Sequence, residues 1–395
     1  MLDTAANELA AHAQAWLDDL GAVAAGASPG PASNLFLDTC YWRDAVALTW
    51  TLETVAGAPD DIGAALFPRL ADMKASNFKL EAAPETVVRV GREVVEAFFT
   101  FETRAGFGRG IVRLAPDEND GGKLKAWTFL TQLEDLKGFE EKTGQRRPTG
   151  QSNSRDFRGP HWLDKRHDAE SYADHDPVVL IVGGGQAGLA TAARLGALGV
   201  DCLIVDRHER IGDMWRKRYH ALTLHTQVQV NHMPYMPFPP TWPTYIPKDK
   251  IANWFEAYVE ALELNYWTGT EFLGGAYDEA AGHWTVRLKR ADGAIREMKP
   301  RHVVLAPGVS GVANRPDIAT LENFEGRVVH SSEYTDGEDY AGKRAIVSGT
   351  GNSGHDISQD LWSSGAEVTM VQRSPTLVTN IEPAAQLPYM LYDSG

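Results

Sequence analysis

Two glycine strings of the same spacing are the residues best suited to chemistry. Gly183-Gly184-Gly185-Gln186-Ala187-Gly188 follows an apolar run at 178–182 and leads into the helix-like LATAARLGALG. Gly349-Thr350-Gly351-Asn352-Ser353-Gly354 follows a second such run at 344–348 and leads into a helical stretch at 355–362. In a G-x-G-x-x-G loop the first glycine allows the tight turn and the second lets the backbone approach a pyrophosphate. The third permits close helix–strand packing, and the helix N-terminus offers unpaired N–H groups to the phosphates. The partner residues differ in sign. The run 202–205 ends in Asp206, an acceptor for ribose hydroxyls that would repel a 2′-phosphate, whereas 367–371 ends in Gln372-Arg373-Ser374. A guanidinium beside a hydroxyl suits a 2′-phosphate through forked, charge-assisted donors. One nucleotide with free ribose hydroxyls and one phosphorylated nucleotide make a natural pair of FAD and NADPH, with hydride passing from the second to the first.

Other chemistries are poorly served. The only cysteines, Cys40 and Cys202, form no CxxC pair and no zinc site, which argues against a flavin disulfide reductase. No G-x-S-x-G elbow and no H-E-x-x-H occurs, so neither a side-chain nucleophile nor a metal is expected. The net charge of -15 at pH 7 has the wrong sign for a general nucleic-acid or anionic-membrane binder. No apolar run reaches membrane-spanning length and the first residues lack a signal-peptide core, so a cytoplasmic protein is expected.

A third pattern lies between the strings. Phe324-Glu-Gly326, His330 and Tyr334 fit F-x-G-x-x-x-H-x-x-x-[YF]. With both loops, the segment 177–380 resembles the flavin-containing monooxygenase family, class B flavoprotein monooxygenases, nearest the YUCCA-like branch. Gly212-Asp-Met-Trp215-Arg216 is similar to that family's second flavin-contact segment, and Leu224-His225-Thr226 with 234–239 to the stretch passing the isoalloxazine. The resemblance implies an FAD site of Gly183, Gly185, Gln186, Ala187, Gly188, Asp206, Arg207, Gly212, Trp215, Arg216 and His225. It implies an NADPH site of Gly349, Gly351, Asn352, Ser353, Gly354, Arg373 and Ser374. It also implies that NADPH reduces FAD, that O2 then forms a C4a-hydroperoxide, and that one oxygen passes to a nitrogen, sulfur or carbonyl (2-oxo acid) centre of a small substrate. His225, Asn231 and His330 are the side chains nearest to a catalytic part, each also readable as a loop residue, and Trp215 and Trp242 are cavity-border or core aromatics. An uncoupled NADPH oxidase releasing hydrogen peroxide, and a nucleotide-binding interaction module without turnover, are the alternatives. The chain departs from the family at Ala306-Pro307-Gly308, in place of A-T-G, and it ends at Gly395 before the flavin domain is completed, so a C-terminally truncated piece is expected.

These residues need scaffolding. A length of 395 residues, 43% hydrophobic, predicts two or three folding units. Residues 1–137 read as an α+β unit: a helix over 6–20 ending at Gly21, then strands at 87–94, 96–102, 110–114 and 124–133 broken by turn-rich GFGRG and PDENDGG. Leu37-Asp38 to Trp42-Arg43-Asp44 resembles the SnoaL-like cone, with Asp38 and Asp44 as loop and cap residues. Docking or homodimer formation is the part expected of this unit. Residues 138–176 read as a linker or strap anchored by Phe157, Trp162 and Tyr172. An α/β fold follows, a Rossmann-type FAD domain at 177–338 and an inserted Rossmann-type NADPH domain at 339–395.

Overall fold

The computed structural model describes residues 2–26, 30–149, 157–309 and 311–382. The chain divides into two units, Met1–Glu141 and Lys142–Gly395. The expected domain end at 383–395, with its apolar LPYMLY, lies outside the described residues.

The first unit opens with α1 (Leu2–Ala24), whose apolar stripe of Ala13, Trp16, Leu17, Leu20 and Ala24 is buried. The helix therefore runs past Gly21. A mid-helix glycine costs about 1 kcal/mol, which the next turn offsets by burying Ala24 and packing Val23 against the same core. Strands β1 (Phe36–Ala45) and β2 (Leu52–Gly57), helix α2 (Pro59–Asp72), and strands β3 (Ser76–Leu80), β4 (Glu85–Arg89), β5 (Arg92–Glu102), β6 (Gly106–Asp117) and β7 (Lys123–Leu136) follow. They form one seven-stranded sheet in the order β2-β1-β7-β6-β5-β3, with β4 also on β5. Only the β1–β7 pair is parallel. Helices α1 and α2 share one core with the inward residues of the sheet, as the α+β reading expects.

Three expectations within this unit change. The stretch at 87–94 is a hairpin rather than one strand. Val90 and Gly91 both take left-handed backbone (φ 52° and 75°), and Arg89 pairs with Arg92 across them, the geometry of a two-residue hairpin turn. GFGRG is no turn but part of β6. Its glycines face inward, and a Cβ at Gly108 would lie 2.3 Å from the Phe101 ring, one at Gly110 2.2 Å from the Phe99 ring. The alternating glycines make room for stacked rings, Phe78 on Phe101 (5.5 Å) and Phe99 on Phe129 (5.6 Å). Asp38 and Asp44 lie in β1 rather than in a loop. Asp44 is fully buried and accepts from Leu48 N (3.0 Å), Thr49 N (2.9 Å), Thr49 Oγ1 (2.7 Å) and Thr131 Oγ1 (2.6 Å).

The second unit begins with a helix inside the expected strap, α3 (Trp162–Ser171). Tyr172 after it is fully buried, its hydroxyl 2.8 Å from Asp201 Oδ1 and 3.0 Å from the Cys202 carbonyl while accepting from Asn265 Nδ2 (2.8 Å). Then come β8 (Val179–Val182), α4 (Gln186–Ala197), β9 (Cys202–Val205), α5 (Asp213–Arg216), β10 (Thr223–Gln227), β11 (Tyr245–Pro247), α6 (Lys248–Ala261), β12 (Tyr266–Trp267), β13 (Glu271–Asp278), β14 (His283–Lys289), β15 (Ile295–Met298) and β16 (His302–Leu305). A four-stranded parallel sheet in the order β12-β9-β8-β16 carries the site. Its central strands, VLIV and CLIV, are apolar throughout because layers cover both faces. Strand β17 (Arg344–Ser348), α7 (Asn352–Ser363) and the parallel β18 (Glu367–Val371) repeat the strand–helix–strand unit. Among the described residues, no helix is long and apolar enough to cross a membrane.

Gly108→Ala should lower the thermal unfolding midpoint, because a methyl inside the Phe101 ring overpacks the core at about 1–3 kcal/mol. An unchanged midpoint would show that the strand yields without strain.

Candidate functional site

Both glycine strings sit where a parallel strand ends and a helix begins, and their backbones coincide in detail. Gly183 and Gly349 take φ 109° and 108°, values that L side chains rarely adopt. Each N–H reaches the end of the neighbouring strand, Gly183 N to Val205 O and Gly349 N to Val371 O, both at 2.9 Å. At Gly188 a Cβ would lie 2.0 Å from the Gly183 carbonyl oxygen, and at Gly354 one would lie 2.5 Å from that of Gly349. Gly185 and Gly351 are the N-cap residues of α4 and α7 and provide no side-chain cap. The first-turn N–H groups of both helices, Gln186 and Ala187 in one and Asn352 and Ser353 in the other, thus remain available to an anion.

The loops differ in their surroundings. A Cβ at Gly185 would meet Met214 Sδ at 2.6 Å, and one at Gly184 would lie 1.8 Å from Tyr266 Oη. Around Gly349 and Gly351 nothing approaches such a position within 4 Å. The second loop is therefore open to close approach by a pyrophosphate, whereas Met214 and Tyr266 occupy the space beside the first.

Asp206 stands at the end of β9. Its Oδ2 accepts from Gly184 N (2.7 Å), and its Oδ1 accepts from His208 N (2.8 Å) and faces His208 Nδ1 at 2.7 Å. Burial alone would push this carboxyl up, but hydrogen bonds from the His208 ring, the His208 N–H and the Gly184 N–H hold it below the usual carboxylate range. A carboxylate offers about four acceptor directions, and three are taken, which leaves one for a ribose hydroxyl. Arg373 and Ser374 follow β18, both exposed, and Arg373 has no ion-pair partner among the described residues.

The other expected residues divide into free and engaged. Arg207 donates to Gly311 O (2.7 Å). Arg216 is tied to Asp213 Oδ1 (2.6 Å) and Ile211 O (3.2 Å). Gly212 takes φ 85°, where a Cβ would lie 2.4 Å from Ala252 O, so it sets α5 against α6. Trp215 Nε1 is buried with no hydrogen-bond partner among the described residues. Trp242 stacks on Phe238 with centroids 4.6 Å apart. Asn231 spends its amide on Thr226 and Gln227, donating to the Gln227 carbonyl at 2.7 Å. His330 Nδ1 accepts the Ser332 N–H (3.2 Å) and faces its hydroxyl (2.8 Å), which organises the turn before Tyr334. Tyr334 in turn donates to Asp360 Oδ2 on α7 (2.6 Å). His225 faces Asn352, with Nε2 and Nδ2 3.5 Å apart.

Met214 and Tyr266 touch the first loop, His208 braces Asp206 beside it, and none of the three was singled out as a site residue from the sequence. A third consecutive glycine, Gly184, where the motif leaves the position free, was the one available signal: the Tyr266 hydroxyl occupies the space that a side chain would need.

Because the folded Asp206 carboxyl titrates below its unfolded value, its stabilising share is complete above about pH 4 and is lost as pH falls through the folded value. Asp206→Asn should therefore flatten the acid end of the thermal-midpoint profile relative to the unaltered chain. Parallel profiles would remove Asp206 from the acid response.

Comparison with known proteins agrees with this geometry. Residues 180–389 match the family model for pyridine nucleotide-disulphide oxidoreductase. Indole-3-pyruvate monooxygenase YUCCA1 of Oryza sativa subsp. japonica is 39% identical over 199 residues, 50% of this chain and 48% of that protein. Probable indole-3-pyruvate monooxygenase YUCCA10 of Arabidopsis thaliana is 33% identical over 209 residues, 52% and 55% of the two chains. Among solved structures, a flavin-containing monooxygenase from Stenotrophomonas maltophilia is similar, at 26% identity and TM-score 0.48, covering 55% of this chain and 64% of that one. The chain spans about half the length of the curated relatives it matches. With more than half of its residues under one family model, and with two strand–glycine loop–helix units inside the matched region, the chain belongs to the pyridine nucleotide-disulphide oxidoreductase family.

Proposed function

We propose that this chain carries the nucleotide-binding machinery of an FAD- and NADPH-dependent monooxygenase that oxygenates a small organic substrate at a nitrogen, sulfur or carbonyl (2-oxo acid) centre. The observation that carries this reading is the pair of glycine loops with matching backbone and partners of opposite charge, Asp206 beside one and Arg373 beside the other. The names of the relatives, indole-3-pyruvate monooxygenases, support the same reaction class.

Dithiol chemistry, which the family name covers, is not available from the two cysteines. Burial pushes the Cys40 thiol up to about 11 and the Cys202 thiol up to about 12, and the two lie in different units. Electrons would instead pass between nucleotides. In this proposal the Rossmann-type loop at Gly183, Gly185 and Gly188, with the N-terminus of α4, holds the FAD pyrophosphate, and Asp206 holds its ribose. The Rossmann-type loop at Gly349, Gly351 and Gly354, with the N-terminus of α7, holds the NADPH pyrophosphate, and Arg373 and Ser374 take the 2′-phosphate. The chemistry supplied by bound FAD is hydride acceptance and activation of O2. The chain's own share is binding and orientation.

The same proposal gives the amino-terminal unit a SnoaL-like scaffold with a docking or dimerising part, in a cytoplasmic protein. Its interior is filled by Trp16, Phe36, Phe99 and Phe129, and its buried acid, Asp44, is saturated by four donors.

The purified chain should be yellow, and NADPH should bleach it without oxygen. Arg373→Ala should weaken NADPH at least about tenfold, the worth of a charge-assisted hydrogen bond, and leave NADH unchanged. Equal losses for both nucleotides would sink the 2′-phosphate assignment, and a colourless chain that fails to bind added FAD would sink the flavin reading.

A further inference from the structure

The two glycine loops belong to separate sheets, β12-β9-β8-β16 and β17-β18, so strand pairing does not set the distance between them. A stretch of chain after the first loop reaches both. It starts at Met214, which packs against Gly185. From there it is held at successive points: Arg218 Nε donates to Met214 O (3.1 Å), Nζ of the buried Lys248 to Arg216 O (3.0 Å), and Lys248 N to Leu222 O (3.2 Å). In its middle stands the buried Tyr219, whose hydroxyl donates to Asp356 Oδ2 at 2.6 Å and also bonds the Ser353 side chain. Ser353 lies in the first turn of α7, the turn that offers its N–H groups to an anion.

A second tyrosine meets the same helix one turn later. Tyr334, the last residue of the F-x-G-x-x-x-H-x-x-x-[YF] pattern, donates to Asp360 Oδ2 (2.6 Å), which also accepts from Gly337 N (3.0 Å). The two tyrosine rings are 6.3 Å apart and His220 N donates to Thr335 O (2.8 Å), so both segments form one seat against Ile357 and Leu361 of α7. An ionised carboxylate only accepts, and burial together with the facing acid pushes each tyrosine hydroxyl up, which keeps its proton in place as the donor. The two bonds differ in consequence. The pattern admits phenylalanine at 334, whereas the Tyr219 hydroxyl reaches the anion-binding turn itself from a segment anchored at the first loop.

We propose that Tyr219 is a positioning residue for electron transfer between the two loops: through Asp356 and Ser353 it fixes the N-terminal turn of α7 relative to the first loop. Hydride transfer oxidises NADPH to NADP+ and reduces FAD by the same two electrons, and it requires reacting atoms about 3–3.5 Å apart, so it depends on that placement more steeply than binding does. Both glycine loops, Asp206 and Arg373 are untouched by the loss of one hydroxyl, and affinity and rate therefore separate. This inference rests on the FAD and NADPH readings of the two loops and deepens them.

The test sets calorimetric titration of the flavin-loaded chain with NADP+ beside the rate at which saturating NADPH bleaches the flavin without oxygen. Tyr219→Phe, which keeps the buried ring, should lower that rate at least about tenfold, within the cost of a 1 Å misplacement, with FAD content unchanged and NADP+ affinity within about twofold. The change that NADP+ makes in the absorption spectrum of the oxidised flavin should shrink in the same variant. Asp356→Ala, at an exposed position, should lower the rate as well, Asp356→Asn, which still accepts, should keep it, and Tyr219→Phe with Asp356→Ala should lose no more than Tyr219→Phe alone. An unchanged rate in either single variant, a rate loss matched by an equal loss of NADP+ affinity, or losses that add in the double variant would overturn the inference and leave the nucleotide readings standing. An unaltered chain that binds no FAD or no NADP+, or that NADPH does not bleach, would overturn both.

Discussion

At Gly188 a methyl group would collide with the Gly183 carbonyl oxygen, and at Gly354 with that of Gly349. Both helices thus begin closer to their strands than any side chain allows, and the rest of each site depends on that approach. It turns the first free N–H groups toward the strand ends, and it brings the next strand near enough for its terminal residue to face the same ligand. At the first loop the acid is also part of the scaffold. Asp206 receives Gly184 N–H and both donors of His208 before any ribose arrives, so the group that would read the nucleotide also holds the loop in shape. Among the described residues the second loop has no such tie to Arg373, which stands exposed.

What could be read from the sequence follows from how local each constraint is. The glycine strings, their strands and the sign of the residue after each second strand are all fixed within about thirty residues. Long-range packing was not legible in this way. GFGRG has the composition of a turn, and only Phe101 and Phe99 on the adjacent strand reveal that Gly108 and Gly110 are vacancies left for rings. Val90 is an unusual residue for a left-handed turn position, so the hairpin of β4 and β5 looked like one strand. Asp44 resembled a loop acid because only one of its hydroxyl partners, Thr49, is near it in the chain; the other, Thr131, lies 87 residues further on. Tyr172, named from the sequence as an anchor of the polar stretch, is fully buried, but its partners Asp201 and Asn265 are announced by no local pattern.

Site residues show the same division. Those that act through backbone shape were identifiable by spacing. Side chains brought there only by folding, such as Tyr266 against Gly184 and His225 against Asn352, meet across separations of many tens of residues. His330 and Tyr334 belong to both groups. The pattern that contains them is legible, but what it does is visible only in the turn at Ser332 and the bond from Tyr334 to Asp360.

The two buried thiols also bear on durability. Peroxide oxidises the thiolate rather than the thiol, and Cys40 and Cys202 ionise only near 11 and 12, so at neutral pH the reactive form is almost absent from both. At neutral pH neither thiol is therefore primed to form sulfenic acid or a mixed disulfide.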